Sequence, residues 1–598
     1  MRGFLKKIIT NFLSLTLFFG FWGCCLFALL VSHLTVYKGD LLPQKVAPNT
    51  ILHLKLEGEV VPYRVRPLLE ANKISLAELE KGLVRAAADP NISALLVEIG
   101  TLHMGAAGAA SLAYKMRRFA AEKPLYCHTT TTSQATLLLA SQAHHHTIHP
   151  LGVITLEGQA IKQVFLKKAL DYWGIEPILF QAGTYKNAGE IFTKTKMSQG
   201  VKKELKAFLL ERQADLEGKI AKYKAVEAST LQALKESVGL FAHEAKKAGL
   251  VQAIGDLEFV KAKLIKMVKK TMPSIQKEGE ISEKVTPLLD FTTYLKTKEK
   301  NLALRDTTKK SHTIHICSLE GEIIGGDHHQ MGKISEKKAI QRLRSAAKGC
   351  DMLVVVLNTP GGDALASANI GMALTQLRRE GVPTIAVKHD ICASGGEWIA
   401  FHADKIWTYS SSIVGSIGVF GIFFNIGPLL KKRLMITIDG PQTKPSSDLK
   451  GALLSRDLTF EERHFFSRHV ELLHNQFIVL TKRKGKLTKE AATLLAQGQL
   501  FTGQQSVNLG LADQVIEDLE AAIAKEVKVR QWGSNYKIQY CRNNWDLEDF
   551  FAYLLGKKWS NKTLMAEAVS PEAVVNQLQA KQGIRAYAPH GWILRKLS

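Results

Sequence analysis

Cysteine is scarce in this chain. Seven residues in 598 cannot build a disulfide scaffold; Cys24 and Cys25 sit in an apolar run, and the other five show no C-x-x-C spacing. Acidic residues are outnumbered, with 55 Asp+Glu against 79 Lys+Arg and a formal charge of +24. That excess suits nucleic acid and an anionic membrane surface equally well. Low-complexity sequence is missing too: 46% hydrophobic and 22% charged residues exclude a disordered chain. At roughly 100–200 residues per domain, the length allows about three to five domains. Long apolar runs are absent after residue 40, which leaves one to explain.

That run spans residues 8–36 and follows MRGFLKK, which carries Arg2, Lys6 and Lys7. A membrane span needs about 20 apolar residues, whereas a signal-peptide core has roughly 7–15 and precedes a small-residue cleavage site that is not found here. The reading is an uncleaved single-pass anchor at 8–36, with a cleaved signal peptide as the alternative. The positive-inside rule keeps 1–7 in the cytoplasm and puts the body, beyond about residue 38, on the far side. That location sets nucleic acid aside as a partner and makes the lipid bilayer one.

The body reads as a diverged duplication. ISALLVEIG (92–100) and MLVVVL (352–357) are buried-strand runs, each followed by a helical stretch and then a second strand, KPLYCHTT or VPTIAVKH. LLLASQA (137–143) parallels EWIAFHA (397–403), and AHEAKKAGLVQAIGDLE (242–258) parallels GQQSVNLGLADQVIEDLE (503–520). Ala143 and Ala403 are 260 apart; Gly249 and Gly510 are 261 apart. Strand and helix alternate in each half, so the fold class is α/β. The expected layout is a first repeat at 45–270, a Lys-rich linker at 271–311, a second repeat at 312–530 and a C-terminal extension at 531–598. The extension, with Trp532, Trp545, Trp559 and Trp592, reads as packed helix.

The chemistry-bearing segments lie mainly in the second repeat. In LNTPGGD (357–363) a buried strand ends at Pro-Gly-Gly, where glycines let backbone N–H groups face a ligand. In ICASGGEWIAFHAD (391–404) Ser394 falls at a strand-to-helix corner, with Gly395 and Gly396 at a helix start that favours an oxyanion. Taken alone, Ser394 reads equally as a helix N-cap. SSSIVGSIGVFG (410–421) sets Ser416 among glycines. The first repeat has GTLHMGA and SQAT at the matching places, so Ser133 lacks the glycine pair. It contributes instead GTYK (183–186), with Lys186 just after an apolar strand. A lysine acts as a base only where burial or neighbours lower its pKa.

Together, ASGG with Ser394, PGG with Gly361, GSIG with Ser416 and GTYK with Lys186 resemble the signal peptide peptidase A family in its long two-repeat bacterial form. The resemblance covers roughly residues 45–525. It implies two tandem ClpP/crotonase-like repeats behind one transmembrane helix, a serine-lysine protease without cofactor or metal, and a homotetramer. Its substrates would be cleaved signal peptides and other hydrophobic, unstructured peptides, and its location the bacterial inner membrane with an extracytoplasmic catalytic body. By position, Ser394 would be the nucleophile, Lys186 the general base and Ser416 its orienting partner. Gly361 and Gly395 would form the oxyanion hole.

Two features depart from the family pattern. Glu397 follows ASGG where an aromatic residue is usual; aimed at Lys186 it would weaken the base, but a carboxylate in a helix's first turn is favourable locally, and on that argument it is expected to point away. Lys444, 50 residues after Ser394, is a rival base taken from the same repeat, as in one-repeat relatives. A metal reading of His144, His145, His146 and His149 is weak, because the run aligns with the start of a strand, and His328–His329 is weaker still. A Ser-His-Asp triad using His402 and Asp404 fails on distance, since eight helical residues span about 12 Å. The other functions considered are a crotonase-like thioester enzyme and an inactive anchored scaffold.

Overall fold

The computed structural model describes residues 46–62, 74–224, 226, 238–271, 288–302, 312–326, 332–449, 452–483, 485–533, 535–541 and 583–587. The expected anchor at 8–36 and the pair His328–His329 lie outside the described residues. No helix among the described residues is long and apolar enough to cross a membrane.

Among the described residues the strands form three sheets. The first repeat builds one from Ile74–Ser75, Thr50–Val61, Ile92–His103, Leu125–Thr132, His145–Thr155 and Gly239–Phe241, in that spatial order. All pairs along it are parallel except the last. The second repeat repeats the plan with His312–Glu320, Met352–Thr359, Thr384–Ala393, Ile413–Gly415 and the antiparallel Leu500–Thr502. Central parallel strands are covered on both faces, which explains their unbroken apolar runs. Met352–Thr359 (MLVVVLNT) is buried at seven of eight positions, and Thr384–Ala393 at all ten.

The third sheet joins the halves. Glu176–Ala182 of the first repeat pairs antiparallel with Val419–Asn425 of the second, from Ala182 opposite Val419 to Glu176 opposite Asn425. Phe180 packs against Phe423 and Phe466 across the seam, centroids 6.0 and 5.7 Å away. Such a seam makes the two repeats one folding problem, since neither buries these faces alone.

Two boundaries differ from the sequence expectation. The second half of the expected linker belongs to the first repeat: Leu288–Asp290 adds to Thr50–Val61, and Phe291 and Tyr294 of the helix Phe291–Leu302 are fully buried. Burying two aromatic rings outweighs the segment's Lys-rich composition. The C-terminal extension supplies strands where helix was expected. Tyr536–Tyr540 lines the edge of the second sheet beside His312–Glu320. Gly583–Tyr587 enters the third sheet between Gly361–Asp363 and Val419–Asn425, antiparallel to both. The segment GIRAY can take either form; the two open strand edges select the extended one.

Candidate active site

Ser394 ends the buried strand Thr384–Ala393 and opens the helix Gly395–Ala400. Its backbone sits at φ +54°, ψ −113°, a region that non-glycine residues rarely occupy. Its N–H donates to Gly415 O at 2.8 Å, which holds the turn. Ser394 occupies the N-cap position, yet its side chain makes no capping bond. The hydroxyl lies 2.6 Å from Lys186 Nζ instead. Strain of this kind persists only where the surroundings enforce it, and it clusters at functional sites.

Lys186 comes from the far side of the seam. The strand Glu176–Ala182 delivers the chain, Gly183 turns it at φ +103°, and Tyr185 N–H donates to Gln497 O at 2.6 Å. Gly498 permits the approach, for a Cβ there would stand 2.5 Å from the Lys186 nitrogen. The Lys186 Nζ meets Ser416 O at 2.7 Å and Ser416 Oγ at 3.1 Å besides Ser394. Lys186, Ser394 and Ser416 are all fully buried. Burial pulls the Lys186 pKa well below the ordinary lysine value, and no carboxylate among the described residues bonds to it. Ser416 is itself held at φ +50°, with its N–H donating to Gln499 O at 2.6 Å. The loop 497–499 therefore grips both the lysine and its acceptor. No motif in the sequence pointed to that loop; Gly498 was its one signal.

Glu397 points away from Lys186. Its carboxylate pairs with Lys388 Nζ at 2.7 and 2.8 Å, and Oε1 accepts the Gly415 N–H at 2.9 Å. Both partners are fully buried. Burial pushes the Glu397 pKa up, while Lys388 and the Gly415 N–H oppose it. Reading the sequence missed Lys388, because a lysine in a buried strand gives no sign of its partner.

Gly361 has φ +99° and lies in the strand Gly361–Asp363 next to Gly583–Tyr587. Its N–H donates to Thr359 Oγ1 at 3.1 Å. Gly395 is the first residue of the helix after Ser394, so its N–H has no intrahelical acceptor. Lys444 is not brought to the site. It is exposed, and its backbone N–H donates to Ser447 Oγ in a surface turn. His402 and Asp404 are engaged elsewhere, His402 Nδ1 with Thr375 Oγ1 at 2.7 Å and Asp404 Oδ2 with the Thr384 N–H at 2.9 Å. His146 Nε2 lies 2.8 Å from Thr129 Oγ1, and His145 stacks on Tyr126. A cavity of about 1150 Å³ lies along the helices Glu336–Ala347 and Ala364–Arg379, and none of Ser394, Lys186 and Ser416 lines it.

The family model for peptidase family S49 matches twice, over residues 117–271 and 376–530. The chain belongs to peptidase family S49. The model matches once in each half and the relatives named Protease 4 align along 77–80% of the chain, so this S49 chain is a serine protease of the long two-repeat form. Protease 4 of Haemophilus influenzae is 26% identical over 493 residues, covering 80% of this chain and 75% of that protein. The chloroplastic serine protease SPPA of Arabidopsis thaliana is 24% identical, covering 79% and 68%. Among solved structures, the 1510-N membrane protease from Pyrococcus horikoshii, specific for a stomatin homolog, aligns with 41% of this chain and all of its own at 14% identity and a TM-score of 0.25.

Proposed function

We propose that this S49 peptidase is a membrane-anchored endopeptidase whose Ser394–Lys186 dyad cleaves spent signal peptides and other hydrophobic, unstructured peptides. The observation that carries the reading is Lys186 Nζ at 2.6 Å from Ser394 Oγ, in full burial and without a carboxylate partner. A neutral amine has one lone pair and two N–H groups. Ser394 O–H would donate to the lone pair, and the two N–H groups would donate to Ser416 O and Oγ. These three contacts satisfy the neutral amine as they would an ammonium's three donors; burial without a carboxylate, which lowers the Lys186 pKa, is what favours the base form.

In the first step Lys186 takes the hydroxyl proton as Ser394 Oγ attacks the peptide carbonyl. The Gly395 and Gly361 N–H groups would bear the oxyanion, and the Gly361 N–H would have to share or exchange its bond to Thr359. The ammonium then returns the proton to the leaving amine, an ester remains on Ser394, and Lys186 activates the water that hydrolyses it. The substrate would lie extended between Gly361–Asp363 and Val419–Asn425, where Gly583–Tyr587 lies in the structure. Only an unfolded peptide can add as a strand there, in line with signal-peptide debris as substrate. The anchor at 8–36 would hold the body at the extracytoplasmic membrane face, and assembly as a tetramer would shield the site from folded proteins.

The test is hydrolysis of an end-blocked fluorogenic hydrophobic peptide by the full chain in detergent. Wild type and Lys444→Ala should be active; Ser394→Ala and Lys186→Ala should be inactive. An inactive Lys444→Ala beside an active Lys186→Ala would place the base in the second repeat. Inert wild type across detergents and pH would favour the scaffold reading.

A further inference from the structure

The duplication gives the catalytic corner a counterpart in the first repeat. Ser133 and Ser394 are 261 residues apart, as are Thr155 and Ser416. Both serines follow a parallel strand and open a short helix, Gln134–Ala140 or Gly395–Ala400. Ser133 and Thr155 line a cavity of about 210 Å³ together with Met104, Gln159, Arg212 and Ser411. The first repeat has thus kept a cleft where the second performs chemistry.

Arg212 is what differs. It lies on the helix Gln199–Lys224, whose counterpart is Phe460–Thr481, and the residue 261 positions on is the apolar Leu473. The Arg212 side chain is 4% exposed, and its Nε and Nη1 have no hydrogen-bond partner. Gln159 Oε1 and Ser411 Oγ on the same cavity are also buried without partners. A buried guanidinium without an acceptor is costly, and anything that pairs with it recovers that cost. The carboxylates that act on it, Asp390 and Asp215, are already engaged. Asp390 accepts from Ala107 N–H at 2.8 Å and Gly108 N–H at 3.3 Å and pairs with His389 Nδ1 at 2.8 Å. Asp215 Oδ2 accepts from Lys219 Nζ at 2.6 Å. Burial lowers the Arg212 pKa to about 10, against the pull of Asp390 and Asp215, so the group stays cationic at neutral pH.

We infer that the first repeat's counterpart of the catalytic cleft is a non-catalytic binding site in which Arg212 receives the C-terminal carboxylate of a peptide. A guanidinium presents a planar fork of donors matched to a carboxylate, and it cannot serve as a base. The cavity is smaller than the roughly 300–1,000 Å³ that engulf a drug-sized ligand, so it suits the end of a chain. Its shape descends from a cleft that takes extended peptide, which favours a peptide terminus over a free anion. The inference rests on the peptidase reading for the cleft's descent and for the supply of ligand: every hydrolysis at Ser394 creates one new C-terminal carboxylate. The cleft would then hold products, or substrates whose ends have already been trimmed.

The test uses the full chain in detergent with Ser394→Ala, so that peptides are not consumed. Fluorescence anisotropy compares one labelled hydrophobic peptide as its free acid and as its C-terminal amide. An endopeptidase cleft is indifferent to that end, so a preference for the acid reports the second site. The acid should bind about tenfold more tightly, the scale of one charge-assisted pair. Adding Arg212→Met should abolish the preference without weakening the amide. Arg212→Lys keeps the charge without the fork and should retain part of it. Equal affinity for acid and amide would overturn the inference, as would a preference that survives Arg212→Met. If acetate or phosphate displaced the acid peptide as tightly as unlabelled peptide does, the site would be one for small anions and the peptide assignment would fail. Arg212→Met in the otherwise wild-type chain should hydrolyse an end-blocked peptide at the normal rate, which separates this outcome from failure of the catalytic reading.

Discussion

Ser133 and Ser394 stand at the same corner of two homologous repeats, and their hydroxyls do different things. Ser133 has an ordinary extended backbone, φ −78°, and its Oγ accepts the Thr136 N–H at 3.3 Å as a helix cap. Ser394 has φ +54°, caps nothing and meets Lys186. The neighbours account for the difference. A Cβ at Gly396 would come 2.7 Å from Thr359 Cγ2, so the helix after Ser394 packs closer than a side chain would allow. After Ser133 the chain has Gln134 and Ala135 and takes the usual course. The second difference lies beneath the corner. Lys388 and Glu397 form a buried ion pair that grips Gly415, while the positions 261 earlier hold the uncharged Cys127 and Thr136. A cap stabilises a helix locally; a strained serine needs a scaffold of buried contacts to keep its hydroxyl free.

The largest effects should come from the corners themselves. Ser394→Ala should lower kcat/KM for a blocked peptide by roughly 10⁴-fold or more, and Ser133→Ala should leave it unchanged. Equal losses would erase the distinction between the repeats. Next comes the base. Lys186→Ala should cost about 10³-fold, and Lys186→Arg should be as inactive, because a guanidinium stays protonated. With the Lys186 pKa lowered by burial, activity should rise with pH through a value below the ordinary lysine pKa of 10.5. A pH–rate profile of kcat/KM checks the sign: an acid limb that Lys186 controls must fall as pH drops and the ammonium forms.

The buried pair gives an intermediate effect, read as stability. Lys388→Met leaves Glu397 buried without its partner and should cost about 3–5 kcal/mol in denaturant unfolding. Lys388→Cys with Glu397→Thr, the residues of the first repeat, should cost less than Lys388→Met alone. A double variant as unstable as the sum of its single changes would show that the pair is not a unit. The smallest effect concerns the strand beside Ser394. Ending the chain at residue 582 removes Gly583–Tyr587 from between Gly361–Asp363 and Val419–Asn425 and should raise peptide hydrolysis several-fold, within about 1 kcal/mol on the scale where 1.4 kcal/mol is tenfold. Unchanged kinetics would make that strand a bystander.

Much of the layout was legible because duplication writes itself twice. The apolar strands, the glycine turns at Gly361 and Gly395 and the offset near 261 could be seen without coordinates, and Ser394, Lys186 and Ser416 were named from motifs. What stayed hidden depends on partners distant in sequence. The Lys-rich composition of 288–302 masked Phe291 and Tyr294, whose burial depends on the first sheet. Asp390 belongs to no motif, yet it accepts the Ala107 N–H at the start of the helix Ala106–Glu122 from 283 residues away. Arg212 was one cation among 79 Lys+Arg until the helix that bears it was seen against the Ser133 corner.

The sequence by itself determined the α/β repeats, their offset and the residue types able to do acyl transfer, because periodicity, glycine placement and repeat comparison are local properties of a chain. It left open which lysine is placed to serve Ser394. Only the tertiary structure separates the places of Lys186 and Lys444: pairing Glu176–Ala182 with Val419–Asn425 buries the Lys186 Nζ beside Ser394 Oγ, while Lys444 stays exposed, and that placement is what supports Lys186 in the proposed dyad. A lysine's basicity is set by its surroundings, and those are assembled from both repeats only when the chain is folded.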